Sequence, residues 1–290
     1  MTPALEFKDV DILFVGSGRR AAVRLRDALA ALETGASRES IAEKTGVLVG
    51  VAGVNLGIEP GQICVLMGLS GSGKSTLLRA ANGLTPVSRG AVLVRHDTTS
   101  IDIARCDAGH LRQIRRMRIS MVFQQFGLLP WRTVRENVGL GLELRGEPPA
   151  ATWRIVTEQL ELVGLSQWAD HYCAELSGGM QQRVGLARAL ATNPDILLMD
   201  EPFSALDPLL RRKLQDELLA LQQRLRKTIV FVSHDLDEAL RLGDRIAILQ
   251  GGRIIQTGTA QEIVSHPATD YVREFISHIN PRTVLKGSAT

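Results

Sequence analysis

The stretch Gln62-Ile63-Cys64-Val65-Leu66-Met67-Gly68-Leu69-Ser70-Gly71-Ser72-Gly73-Lys74-Ser75-Thr76 decides the fold. An unbroken apolar, β-rich run, Gln62–Met67, reads as a buried strand. A glycine-rich loop follows, and then a helical pattern over 74–84. The spacing is G-x-x-x-x-G-K-S in a strand–loop–helix context, which is what a phosphate-binding loop requires. Glycines let successive backbone N–H groups converge on phosphate oxygens without a Cβ in the way. The helix start adds its positive dipole end. Lys74 supplies a point charge at the β- and γ-phosphates and Ser75 a hydroxyl for Mg²⁺, with Gly68, Ser70, Gly71, Ser72, Gly73 and Thr76 completing the cradle. A plain glycine-rich turn would not need both flanking elements.

Around this stretch lie 290 residues, 44% hydrophobic and 22% charged, with a mean hydropathy of +0.04. That composition belongs to a globular protein and excludes disordered and fibrous classes. The longest run without a polar side chain, Gly46 to Val54, falls far short of the roughly 20 residues of a membrane-spanning helix. The start, with Glu6, Asp9 and Asp11 and no apolar core, does not read as a signal peptide. Cys64, Cys106 and Cys173 are scattered and odd in number, so reduced thiols in the cytoplasm are expected, and no zinc site. A net charge of +3 on 34 basic and 31 acidic residues gives no reason to expect a nucleic-acid partner.

Residues 1–14 read as a short strand interrupted by charge. Residues 19–35 read as a helix through Ala22, Leu25, Leu29 and Leu32, and Ser37 caps a second short helix ending at Gly46. From about residue 50 the texture is α/β. Strands are expected at Arg118–Phe123, Asp195–Asp200, Thr228–Val232 and Asp244–Leu249, and helices at 151–164, 178–192, 209–226 and 236–242. The stretch of about 135–190 reads as a helical subdomain.

Three further elements carry chemistry. Ile196-Leu197-Leu198-Met199-Asp200-Glu201 is a buried strand ending in two carboxylates. Asp200 is placed for Mg²⁺, and Glu201, facing the other way, for polarising an attacking water. Leu176-Ser177-Gly178-Gly179-Met180-Gln181-Gln182-Arg183 opens a helix with Ser177 as N-cap, a second backbone anion site.

That last segment resembles the signature sequence of ABC-type ATPases, and the rest of the cassette follows in family order. Gln124 in Val122-Phe123-Gln124 matches the Q-loop, Ser204-Ala205-Leu206-Asp207 the D-loop, and His234 after Val232-Ser233 the switch histidine. The resemblance implies a P-loop NTPase fold: a RecA-like α/β core with an antiparallel β subdomain and a helical subdomain. It implies ATP and Mg²⁺ as ligands, with Ser75, Gln124 and Asp200 at the metal and Glu201, His234 and Gln124 as catalytic groups. Two chains would pair head to tail, so that Ser177, Gly178, Gly179, Gln181 and Asp207 of one face the nucleotide on the other; a two-fold homodimer is the simplest closure.

The helical insert 19–46 looks like the one in importers of choline, glycine betaine and proline, and choline is the first expected solute. Phe14 matches the position whose ring stacks on adenine, plain strand packing being the alternative. Expected partners are integral-membrane permease subunits and a periplasmic or lipid-anchored substrate-binding protein, with the ATPase peripheral on the cytoplasmic face of the inner membrane. The apolar loop Phe126–Trp131 is expected to dock a permease helix. The ATPase domain is placed at 1–275, with 276–290 a short tail and no paired CBS domains, so ionic-strength gating is not expected. Competing readings are another importer or exporter of the same fold, or a soluble ABC ATPase acting on nucleic acid or ribosomes. The latter usually resembles tandem cassettes or one split by a coiled coil, and neither feature is present.

Overall fold

A computed structural model describes residues 2–97, 99–204 and 206–277. In chain order the elements are β1 (Leu5–Val15), α1 (Ala21–Glu33), α2 (Arg38–Thr45), β2 (Val47–Ile58), β3 (Ile63–Met67), α3 (Lys74–Ala80), β4 (Arg89–His96) and β5 (Thr99–Asp102). Then come α4 (Ala108–Met117), β6 (Ile119–Val122), α5 (Val134–Arg145), α6 (Pro149–Leu162), α7 (Gly178–Ala191), β7 (Ile196–Asp200), α8 (Pro208–Leu225) and β8 (Thr228–Val232). The order closes with α9 (Leu236–Leu242), β9 (Arg245–Gln250), β10 (Arg253–Gly258), α10 (Ala260–Ser265) and α11 (Asp270–Ile276). The chain divides into two compact units. One comprises described residues 2–59, 63–107 and 233–277, the other 60–62 and 108–232. Most of the expected tail lies outside the described residues. Among those described, no helix is long and apolar enough to cross a membrane.

The first unit contains an antiparallel sheet in the order β2-β1-β4-β5. The strand expected at 1–14 forms as β1 over Leu5–Val15, with bulges at its charged stretch. Register shifts fall between Phe7 and Val10 and again on either side of Ile12, and Asp9 takes a left-handed backbone (φ 46°). Asp11 is buried, accepting the Gly53 N–H at 2.7 Å and Arg89 Nε at 2.6 Å. A buried carboxylate persists only when paired in this way. β2 has no counterpart among the sequence expectations. Gly50, Gly53 and Gly57 dilute its alternation, and glycines inside a strand mark close approach by something else.

Within 19–46 the chain forms α1 and α2. Ser37 accepts the Ser40 N–H to cap α2, and Gly46 ends it in the left-handed region (φ 66°). Ala28 and Leu32 of α1 and Ile41 of α2 pack on Leu13, Val47, Val49 and Ala52. Also in this unit, β3 runs parallel to β9, which pairs antiparallel with β10. Burial in β3 pushes the Cys64 thiol up to about 12.

The second unit holds the parallel strands β6, β7 and β8, with Ile196 of β7 opposite both Ile119 and Thr228. A separate apolar cluster joins α5, α6 and α7 through Val134, Val138, Leu142, Val156, Leu160 and Val184. Thr133 and Glu136 form a reciprocal capping box at the start of α5. β7 and β8 are buried along their whole length and almost wholly apolar, as strands covered on both faces are.

Candidate nucleotide site

In the first unit, β3 ends directly in the phosphate loop. Gly68 (φ 139°) and Gly73 (φ 101°) hold conformations closed to other residues, and the space is closed too. A Cβ on Gly68 would lie 2.1 Å from the Leu249 carbonyl oxygen, and one on Gly73 2.5 Å from that of Gly50. The Gly252 N–H donates to the Ser72 carbonyl at 3.0 Å, so the turn between β9 and β10 braces the loop. Lys74 is only 6% exposed, with its ammonium 2.7 Å from the Gly68 carbonyl and 2.9 Å from that of Leu69. Carbonyl dipoles orient such a buried charge, and a phosphate would meet it with the opposite charge. The Ser72 hydroxyl is buried and has no hydrogen-bond partner among the described residues. α3 starts with Gly73 in the capping position and no side-chain cap, which suits a helix end that receives an outside anion.

Phe14 stands on β1 with its ring over Gly50. A methyl there would meet the ring at 2.7 Å and the Thr76 methyl at 3.3 Å. The ring remains 46% exposed, so one aromatic surface stays open next to the phosphate loop's own helix. His234 is exposed, on a turn fixed beneath it. The Ser233 hydroxyl bonds the Glu238 carboxylate, the Asp235 N–H donates to the Ser233 hydroxyl at 2.9 Å, and the Asp235 carboxylate caps α9 at the Glu238 N–H.

In the second unit, β7 carries Asp200 at its buried end. Glu201, the next residue, has a left-handed backbone (φ 47°) secured by its N–H to the Val232 carbonyl at 3.1 Å. Such a conformation costs a non-glycine residue about 1–3 kcal/mol and concentrates at working sites. The Gln124 amide donates to Glu201 Oε2 at 3.3 Å, which brings together two residues far apart in the chain.

The signature segment is built differently. The Ser177 hydroxyl accepts the Met180 N–H at 3.4 Å as N-cap of α7. A Cβ on Gly179 would meet Leu210 at 2.6 Å and Leu206 at 3.1 Å, while one on Gly178 would meet nothing within 4 Å. The Gln181 amide donates inward to the carbonyls of Cys173 (3.0 Å) and Leu176 (3.2 Å), supporting the approach to the segment. Asp207 caps α8, accepting the N–H groups of Leu209 (3.1 Å) and Leu210 (3.0 Å).

Several supporting residues carry no signal in the sequence. Arg38 of α2 reaches the Gly71 carbonyl at 3.5 Å, touching the insert to the phosphate loop. Arg188 of α7 donates to the carbonyls of Phe126 (2.6 Å) and Gly127 (2.7 Å), both left-handed residues of the loop after Gln124. Burial lowers the Arg188 pKa, because the interior penalises its charge. The Asn137 side chain accepts the Leu129 N–H at 2.8 Å and donates to the carbonyls of Leu129, Arg132 and Thr133, fixing the same loop. Trp131 at its tip is 71% exposed.

Comparison with known proteins bears on what these halves are. The chain is 53% identical over 249 residues to the glycine betaine/proline betaine transport system ATP-binding protein ProV of Escherichia coli K12, covering 86% of this chain and 61% of that one. It is 48% identical over 257 residues to the trimethylamine N-oxide transport system ATP-binding protein TmoW of Ruegeria pomeroyi, covering 89% and 74%. It thus spans about three fifths of the length of ProV. The dimeric, post-hydrolysis structure of the ATP-binding cassette MJ0796 bound to ADP and Pi superposes with a TM-score of 0.72 at 32% identity, covering 88% of this chain and 98% of that one. The fold is therefore the α/β ABC cassette of P-loop NTPases, antiparallel sheet and helical part included. A family model described as ABC transporter matches residues 51–204, more than half of the sequence, and this chain belongs to that family.

Proposed function

We propose that this chain is the ATP-hydrolysing subunit of an importer for a quaternary ammonium or related methylated amine compound, with glycine betaine, trimethylamine N-oxide and choline as candidate solutes. The phosphate loop carries the reading: a buried lysine held by two carbonyls, following two glycines that admit no side chain, at an uncapped helix start. The likeness to ATP-binding proteins of glycine betaine and trimethylamine N-oxide transport supports the solute class.

In this reading Lys74 and the loop N–H groups from Gly68 to Thr76 bind the phosphates, and Phe14 stacks on adenine. Mg²⁺, when bound, neutralises phosphate charge; Ser75, Gln124 and Asp200 offer it oxygens of the hard type it prefers. Glu201 orients and deprotonates the attacking water, Gln124 holds the Glu201 carboxylate in position, and His234 contacts the γ-phosphate. Ser177, Gly178 and Gly179 serve the nucleotide bound by a second copy, beside Asp207, which makes the homodimer the working unit. Permease subunits dock on the exposed loop at Trp131, which Asn137 and Arg188 hold in shape, so the chain works peripherally at the cytoplasmic face of a membrane. A separate binding protein captures the solute.

The test is Glu201→Gln. Losing one positioned catalytic group typically costs about 10²–10⁴-fold, so ATP affinity should stay within a few fold while turnover falls by that much and a closed dimer accumulates. Undiminished hydrolysis in this variant, with ATP bound normally, would sink the assignment.

A further inference from the structure

The first unit contains a cavity of ≈ 500 Å³, walled by α11 and by the segment that opens α9. Asp235, Asp237 and Glu274 are among its lining residues, and among the described residues no Lys or Arg lines it. Its apolar lining includes Tyr271 and Phe275, whose rings stack at 6.0 Å and 29°. The Tyr271 hydroxyl accepts the Leu69 N–H at 3.4 Å, and Leu69 and His234 also line the cavity. The space is thus continuous with two parts of the proposed ATPase, the phosphate loop and the switch segment.

The lining selects its ligand by charge and by hydration. Carboxylates repel phosphates and organic acids. Aromatic faces attract cations electrostatically, and most strongly those that carry little bound water, such as methylated ammonium groups. The volume exceeds what a molecule of that size needs and lies within the usual range of small-molecule sites. We propose that this cavity binds a small organic monocation bearing a methylated ammonium group, and that its occupancy, felt at Leu69 and His234, slows ATP hydrolysis. The binding stands on the cavity alone; the effect on hydrolysis rests on the function proposed above.

The full chain, without nucleotide, is titrated calorimetrically with choline and with glycine betaine, whose carboxylate the acidic lining disfavours. Choline should bind saturably and at least about fivefold tighter than glycine betaine. Phe275→Leu and Glu274→Gln should each weaken choline by about fivefold or more and leave ATP affinity unchanged. Absence of saturable choline binding, equal affinity for the two compounds, or an affinity unmoved in both variants overturns the site. Saturating choline that leaves the ATPase rate of the wild-type chain unaltered overturns the effect on hydrolysis. A chain that binds choline and hydrolyses no ATP refutes the proposed function and leaves the cavity assignment standing.

Discussion

The two glycine-rich helix starts of this chain, Gly68–Ser75 and Ser177–Gly179, look alike as sequence and differ as structures. At the phosphate loop, backbone closes on the glycines from outside, through the carbonyls of Leu249 and Gly50, and the helix start has no side-chain cap. At the signature segment the helix is capped by its own Ser177, Gly179 rests on the ends of two leucine side chains, and Gly178 faces open space. The first is a rigid socket, shaped before any ligand arrives. The second is a self-sufficient helix start with one bare face, which gains a role only when something outside covers it. That contrast is what a nucleotide shared between two copies demands: one surface that holds it and one that arrives.

Gly73→Ala strikes the socket hardest. The new residue would need a left-handed backbone, costing about 1–2 kcal/mol, and a methyl driven into the Gly50 carbonyl, costing about 1–3 more. Thermal melting should show a loss of about 3 kcal/mol, and titration with a fluorescent nucleotide should show ATP binding all but gone. A folded Gly73→Ala chain with ordinary ATP affinity would break the comparison. At the signature the leucine ends can yield, so Gly179→Ala should cost about 1–2 kcal/mol with ATP affinity retained. Gly178→Ala, into empty space, should move stability by no more than about 0.5 kcal/mol while lowering ATPase rate at concentrations where the chain dimerises. Equal stability losses at Gly178 and Gly179 would contradict the asymmetry. Ser177→Ala sharpens the contrast at the small end. It should cost about 1 kcal/mol, the ordinary worth of an N-cap, read from denaturant midpoints, again without weakening nucleotide binding by the isolated chain.

A second contrast concerns how strain is held. Glu201 keeps its left-handed backbone through the Val232 carbonyl and its carboxylate through Gln124. Phe126 keeps its own through Arg188, a side chain with two well-aligned donors reaching from another helix. In both places the unfavourable conformation is fixed by partners remote in the chain.

What the sequence determined by itself is what contiguous residues dictate. The strand–loop–helix from Gln62 to Thr76 could be read because glycine stereochemistry, a lysine at fixed spacing and an apolar run are all local. The same holds for Ser37 and Gly46 at the two ends of α2, and for β7 delivering Asp200 and Glu201. Tertiary structure alone decided the rest. It set β2 against β1 despite three glycines, since pairing with a distant strand outweighs poor intrinsic propensity. It placed the Phe14 ring over Gly50 beside Thr76, brought Gln124 to Glu201, and sent Arg188 to the loop after Gln124. Each of those contacts joins residues whose neighbours in sequence say nothing about one another. Their geometry exists only once the apolar faces have packed and the chain's distant segments have no other place to go.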